Sequence, residues 1–178
     1  MDDYVTNIAR VLGVTLDISL NHINGQRVLD ATKKELIDFV RRTMDGEDLF
    51  YLYHPDIIDP VFDIGKIVSD IGNYETDGWI FDLRYALKLT YYVVAGQDDD
   101  AEKMLIFITD RIQDRVAIEK LIIIKEREQS DCRLVFVGIG EHYCKKILNI
   151  PEAIYIHLDD PSDLNQVLME QLKYEKEL

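Results

Sequence analysis

The stretch Asp17-Ile18-Ser19-Leu20-Asn21 sets a carboxylate, a hydroxyl and an amide at every second position. Far downstream, Thr109-Asp110 adds a second hydroxyl and a second carboxylate. These are hard oxygen donors, the set that Mg²⁺ or Mn²⁺ takes in exchange for water. The plainer reading makes Asp17 and Asp110 caps of turns and helices. His54 and Asp56, and further on Glu141 and His142, follow other apolar runs and are candidates to border the same region. No Cys or His pair has zinc-ligand spacing. Gly138-Ile139-Gly140 lacks the third glycine of a dinucleotide loop, and Asp98-Asp99-Asp100 lacks EF-hand spacing.

The flanking patterns explain how such donors could converge. Val11–Leu16 reads as a buried strand running into Asp17, and Met104–Thr109 is a continuous apolar run of the kind found in central parallel strands. Further strands are expected at Leu49–Tyr53, Arg133–Val137 and Ala153–His157, with a weaker one at Ile57–Phe62. Helical stride marks Gln26–Met44, Ile64–Ile71, Asp82–Val94, about Asp114–Glu128, and a closing helix with Leu164, Val167, Leu168 and Leu172 on one face. Asp160-Pro161 has the form of an N-cap followed by proline at the first helical position. Strands alternating with helices predict a doubly wound, mostly parallel α/β sheet with helices on both faces. In such sheets ligands bind beyond the carboxyl ends of the strands, where strand order reverses. That is where Asp17 and Asp110 fall.

Composition narrows the function. The 178 residues hold 34 acidic and 20 basic side chains, a formal charge of −14. Nucleic-acid binding needs a basic footprint and is disfavoured. No apolar run is long enough for a membrane span. An acidic N-terminus and two cysteines, Cys132 and Cys144, point to a reducing cytoplasm rather than a secreted disulfide scaffold. With no repeat or linker, one domain over 1–178 is expected.

In order along the chain, several segments resemble von Willebrand factor A domains. Leu16-Asp17-Ile18-Ser19-Leu20-Asn21 is similar to their D-x-S-x-S opening, and Ile106-Phe107-Ile108-Thr109-Asp110 to their central strand with its terminal T-D. Leu134–Gly140 resembles their fifth strand with its I-G-I-G ending, and Tyr155–Asp160 their last strand. The resemblance implies a parallel sheet with one short antiparallel edge strand. It also implies a metal-ion-dependent adhesion site at the sheet's carboxyl edge, where a divalent ion bridges to a carboxylate of a partner protein. Asp17, Ser19, Asn21 and Asp110 would be its metal residues here.

The departures bear on that site. Asn21 stands where the family has a second serine, and its amide oxygen can still ligate. Phe81-Asp82-Leu83-Arg84-Tyr85-Ala86-Leu87 matches the family's T-D-I-x-x-A-L helix start, with Phe81 in the threonine's place. Phenylalanine cannot ligate; Thr76 is five residues too early; Asp82 could reach inward instead. Mg²⁺ or Mn²⁺ is therefore expected weakly or not at all. Trp79 and Phe81 either pack under their loop, the plainer reading, or stand at the rim as anchors for a partner. Leu121-Ile122-Ile123-Ile124 sweeps about 300° around its helix, so part of it must face outward, toward the chain's own loops or another chain. A homo-oligomer fits the latter.

The expected function is an intracellular protein–protein interaction module, with Trp79, Phe81 and Asp82 beside the docking edge. The alternatives are a metal-free structural subunit of a larger assembly and a haloacid-dehalogenase-like, Mg-dependent phosphatase. The phosphatase needs a second aspartate two residues after the first, and position 19 is serine.

Overall fold

The computed structural model describes residues 8–57, 59–97, 100–111, 115–140 and 153–174. Glu141, His142, Cys144, Asp98, Asp99 and Asp114 lie outside the described residues. The chain runs β1 (Arg10–Asp17), β2 (His22–Ile23), β3 (Gln26–Arg27), α1 (Val28–Thr43), β4 (Asp48–Leu52), α2 (Ile64–Asn73) and α3 (Leu83–Ala95). It continues with β5 (Glu102–Thr109), α4 (Arg115–Arg127), β6 (Arg133–Ile139), β7 (Ala153–Leu158), a 3-10 turn at Pro161–Asp163 and α5 (Leu164–Tyr174).

Five parallel strands form the main sheet in the order β4-β1-β5-β6-β7. From β1 the chain moves outward to β4, then returns across β1 to β5 on its other side. The order therefore reverses between β1 and β5. Those two strands are paired over their full length, ending with Asp17 opposite Thr109.

Alternation along β1 assigns the two layers. Leu12, Val14 and Leu16 pack with Leu29, Leu36 and Val40 of α1, Ile67 and Ile71 of α2, and Leu164 and Leu168 of α5. Val11 faces the other way, with Leu87, Tyr91 and Val94 of α3 and Ile118 and Leu121 of α4. Thr15 shares that second face, its hydroxyl 2.8 Å from the Thr90 hydroxyl, which in turn donates to the Ala86 carbonyl. Gly13 lies between them, and a Cβ there would sit 2.4 Å from Cγ2 of Val94. Absence of a side chain is what lets α3 lie so close to β1.

Two expectations needed revision. The helix from Gln26 starts only at Val28, because Gln26–Arg27 pair with His22–Ile23 in a hairpin. Asn24 and Gly25, with φ of 53° and 79°, make its two-residue turn. The expected strand at Ile57–Phe62 is reduced, among the described residues, to an antiparallel bridge between Phe50 and Val61 and another between His54 and Ile57. Phe50 and Val61 exchange both backbone hydrogen bonds (3.0 and 2.8 Å). Asp160 behaves as expected, its Oδ1 accepting from the Ser162 amide at 2.8 Å. No helix among the described residues is long and apolar enough to cross a membrane.

Candidate functional site at the carboxyl edge

Asp17 ends β1 and Asp110 directly follows β5, the two strands on either side of the strand-order reversal. Asp17 is fully buried and Asp110 nearly so. A buried carboxylate must be supplied with donors or protonated, and both are supplied from the protein. Asp17 Oδ1 accepts from the Ile80 amide (2.8 Å). Its Oδ2 accepts from the Thr109 hydroxyl (3.2 Å) and from Nε of Arg111 (2.6 Å). Asp110 Oδ1 accepts from the Ser19 amide (2.9 Å) and the Trp79 indole N–H (2.8 Å). Its Oδ2 accepts from the Ser19 hydroxyl at 2.5 Å. Burial pushes the Asp17 pKa upward, outweighing the Ile80 amide and the Arg111 guanidinium, which pull it down.

The loop before α3 is thus pinned to both strand ends. Trp79 reaches Asp110, Ile80 reaches Asp17, and Arg111 closes the ring by donating from Nη2 to the Ile80 carbonyl (3.4 Å). Its guanidinium also lies 5.6 Å from the Trp79 ring centre, in cation–π range. Beneath, the Tyr74 hydroxyl donates to the Leu16 carbonyl (3.1 Å).

Ser19, Asp17 and Asp110 are therefore brought to one edge. Asn21 joins them through its backbone: its amide donates to the Ser19 hydroxyl (3.1 Å) and its carbonyl accepts from Val28. Asn21, His22, Asp110, Gly140 and Asp159 line a cleft of about 430 Å³ beside the two carboxylates. Gly140, at φ +86°, turns the chain under it.

The sequence matches no family model and no curated protein. Solved structures do match. A von Willebrand factor type A protein from Catenulispora acidiphila superposes with a TM-score of 0.70 at 15% identity, covering 92% of this chain and 42% of that one. The conserved hypothetical protein BatB from Bacteroides thetaiotaomicron gives 0.66 at 13% identity, over 96% of this chain and 100% of that one. The manganese-loaded TRAP protein of Plasmodium vivax gives 0.61 at 15%, over 91% and 72%. The fold is that of a von Willebrand factor A domain. This chain spans less than half of the first of these proteins and the full length of the second.

Within the A-domain fold, the residues do not fit a directly held divalent ion as they are arranged. The oxygens of Asp17, Ser19 and Asp110 are committed to protein donors, and Arg111 places a positive charge against Asp17. Among the described residues, no three His, Cys, Asp or Glu side chains are grouped to hold a metal. Asp82 does not reach inward: it caps α3, its Oδ1 accepting from the Tyr85 amide at 3.1 Å. Thr76 is likewise absorbed locally, bonded to Gly78. Phe81 is fully exposed, which overturns the plainer expectation for it, whereas Trp79 is nearly half exposed and turns its indole N–H inward to Asp110.

Arg111 and Ile80 are the site residues that sequence reasoning missed. Arg111 carried a usable signal, a cation directly after the T-D of this A-domain strand. The Ile80 amide carried none, since any residue presents one.

Proposed function

We propose that this chain is a protein-interaction module that docks its partner at the carboxyl edge of the sheet without a resident divalent ion. The observation that carries the reading is the Arg111–Asp17 pair, which sets a guanidinium against one of the carboxylates that the resemblance makes a metal residue. An internal cation neutralises a buried carboxylate and orders the loop, the two structural services a metal ion would supply there. The docking surface consists of the exposed rings of Phe81 and Trp79 and the neighbouring cleft beside Asn21 and Asp110. Aromatic rims of this kind supply interface anchors. Burial of Asp17, with both oxygens engaged, favours binding over a phosphatase nucleophile. A reducing, cytoplasmic setting suits the buried free thiol of Cys132.

The test has two arms. Melting curves in MgCl₂ or MnCl₂, with NaCl matching the ionic strength, should show no metal-specific rise for wild type. Arg111→Met should acquire one, because Asp17 is then left without its cation. A wild-type rise abolished by Asp110→Asn would overturn the metal-free reading. In affinity capture, recovery of a specific partner should survive EDTA and be lost with Phe81→Ser. Because Phe81 packs against nothing, that loss cannot be ascribed to unfolding.

A further inference from the structure

A second surface lies on the flank of the domain, apart from the carboxyl-edge cleft. Between α3 and α4 runs a groove of about 500 Å³. Its floor is apolar: Ala117 and Leu121 are buried, Ile124 is partly covered, and Ile123 and Tyr85 are more than half exposed. Tyr85 and Ile123 are two of the eight large apolar side chains standing exposed among the described residues. The apolar 121–124 run is the sequence origin of this patch. Leu121 and Ile122 turn to the sheet, and Ile123 turns out.

The charge of the rim is the informative feature. The chain carries −14 overall, yet the groove is bordered by Arg84 and Lys88 from α3 and Lys120 and Arg127 from α4. One carboxylate, Asp82, lines it, and that group is committed to the α3 cap. Arg27, Lys33, Lys66, Arg10, Arg111 and Arg115 all have carboxylate partners. None of the four groove cations has an ion-pair partner among the described residues. Lys88 lies over the Tyr92 ring at 5.9 Å. Four cations without an ion-pair partner among the described residues, set around an apolar floor in a chain rich in carboxylates, are the pattern expected of a surface complementary to an acidic ligand with apolar anchors.

The backbone chemistry narrows the ligand's shape. The groove is walled by two helices and offers no open strand edge. An extended peptide laid there would leave its own N–H and C=O groups unpaired wherever it is desolvated. A helix satisfies those groups internally and can present apolar side chains at i, i+3, i+4 and i+7 to the floor. Thirteen residues in each of α3 and α4 give walls about 20 Å long, room for roughly three to four turns. We infer that the α3–α4 groove binds an acidic amphipathic helix of a partner protein, Ile123 and Tyr85 meeting its apolar stripe and the four cations its flanking carboxylates.

The probe is a synthetic peptide of about 16 residues with leucine at i, i+3, i+4, i+7 and i+11 and glutamate on the flanks. Fluorescence anisotropy with the whole chain should detect saturable binding that weakens as NaCl rises from about 50 to about 300 mM. A peptide with lysine for every glutamate should bind at least about tenfold more weakly. Arg84→Glu with Lys120→Glu should cost about tenfold or more, and Ile123→Ser a similar factor. Both variants change exposed side chains, and circular dichroism checks that the fold is retained. Lys34→Glu with Arg41→Glu, exposed on α1 across the sheet, makes the same change in net charge and should leave affinity within about twofold. Equal binding of the lysine peptide, or an equal loss in the α1 control, would overturn the inference. So would a dimer, seen by sedimentation without peptide and dissolved by Ile123→Ser, since a second copy would then be the occupant.

Discussion

Gly13→Ala tests the closest approach in the fold. The added methyl carbon would lie 2.4 Å from Cγ2 of Val94 and 2.9 Å from Cγ2 of Thr90. Carbon atoms prefer about 3.5–4.0 Å, so an overlap of roughly 1 Å must be relieved. Both neighbours are β-branched, stiff at χ1 and fully buried. Relief therefore requires α3 to lift from β1. Overpacking of this kind costs about 1–3 kcal/mol. The lower entropy of an unfolded chain with alanine returns about 0.4–1 kcal/mol. A net loss of about 1–2 kcal/mol should lower Tm by roughly 3–8 °C in a domain of this length. Val94→Ala alone should also destabilise, by about 1–3 kcal/mol, through the void it leaves. In the double variant the methyl added at position 13 fills that void, so its loss should fall short of the sum by at least about 1 kcal/mol. Urea unfolding of the four proteins measures the cycle. Additive losses, or a neutral Gly13→Ala, would refute the claim that Val94 sets the spacing.

Three further outcomes are expected. Cys132 is fully buried, and burial pushes its thiol up to about 12; alkylation at pH 8 should be slow and track the unfolded fraction, as mass spectrometry would record. The unfolded thiol ionises first, so stability should fall as pH rises from about 9 toward 12, at up to about 1.4 kcal/mol per pH unit, and Cys132→Ala should flatten that slope in urea titrations. Gly25→Ala forces a side chain into φ +79° and should cost about 1 kcal/mol, whereas Gly46→Ala, with open space around its Cβ position, should be close to neutral in thermal melts.

The strands and helices were legible because burial on both faces writes continuous apolar runs. Leu105, Ile106, Phe107 and Ile108 are all fully buried in β5, as such a run predicts. The hairpin before α1 was also written in the sequence, since Asn24-Gly25 is a strong two-residue turn signal. It was missed because its strands are two residues long and continue straight into a helical pattern. The candidate site was half legible. The positions of Asp17, Ser19 and Asp110 followed from strand ends, but their partners did not. The bond from Ile80 to Asp17 crosses 63 positions and that from Arg111 crosses 94. Such pairings arise from tertiary placement of loops, and local periodicity carries no trace of them. Exposure of Phe81 was equally hidden, because an aromatic in a loop looks the same in sequence whether it packs inward or outward.

The bridge between Phe50 and Val61 governs how this sheet meets its surroundings. β4 is a border strand, and an uncovered border invites pairing with other molecules, the first step of fibrillar aggregation. Here the two hydrogen bonds that Phe50 and Val61 exchange cap the middle of that border, and Pro60 contributes no donor with which a stranger could continue the ladder. Among the described residues the guard on β4 itself is one residue wide. Val61→Pro would remove the N–H that Phe50 accepts and uncover the strand, so light scattering should rise on gentle heating well below the melting temperature.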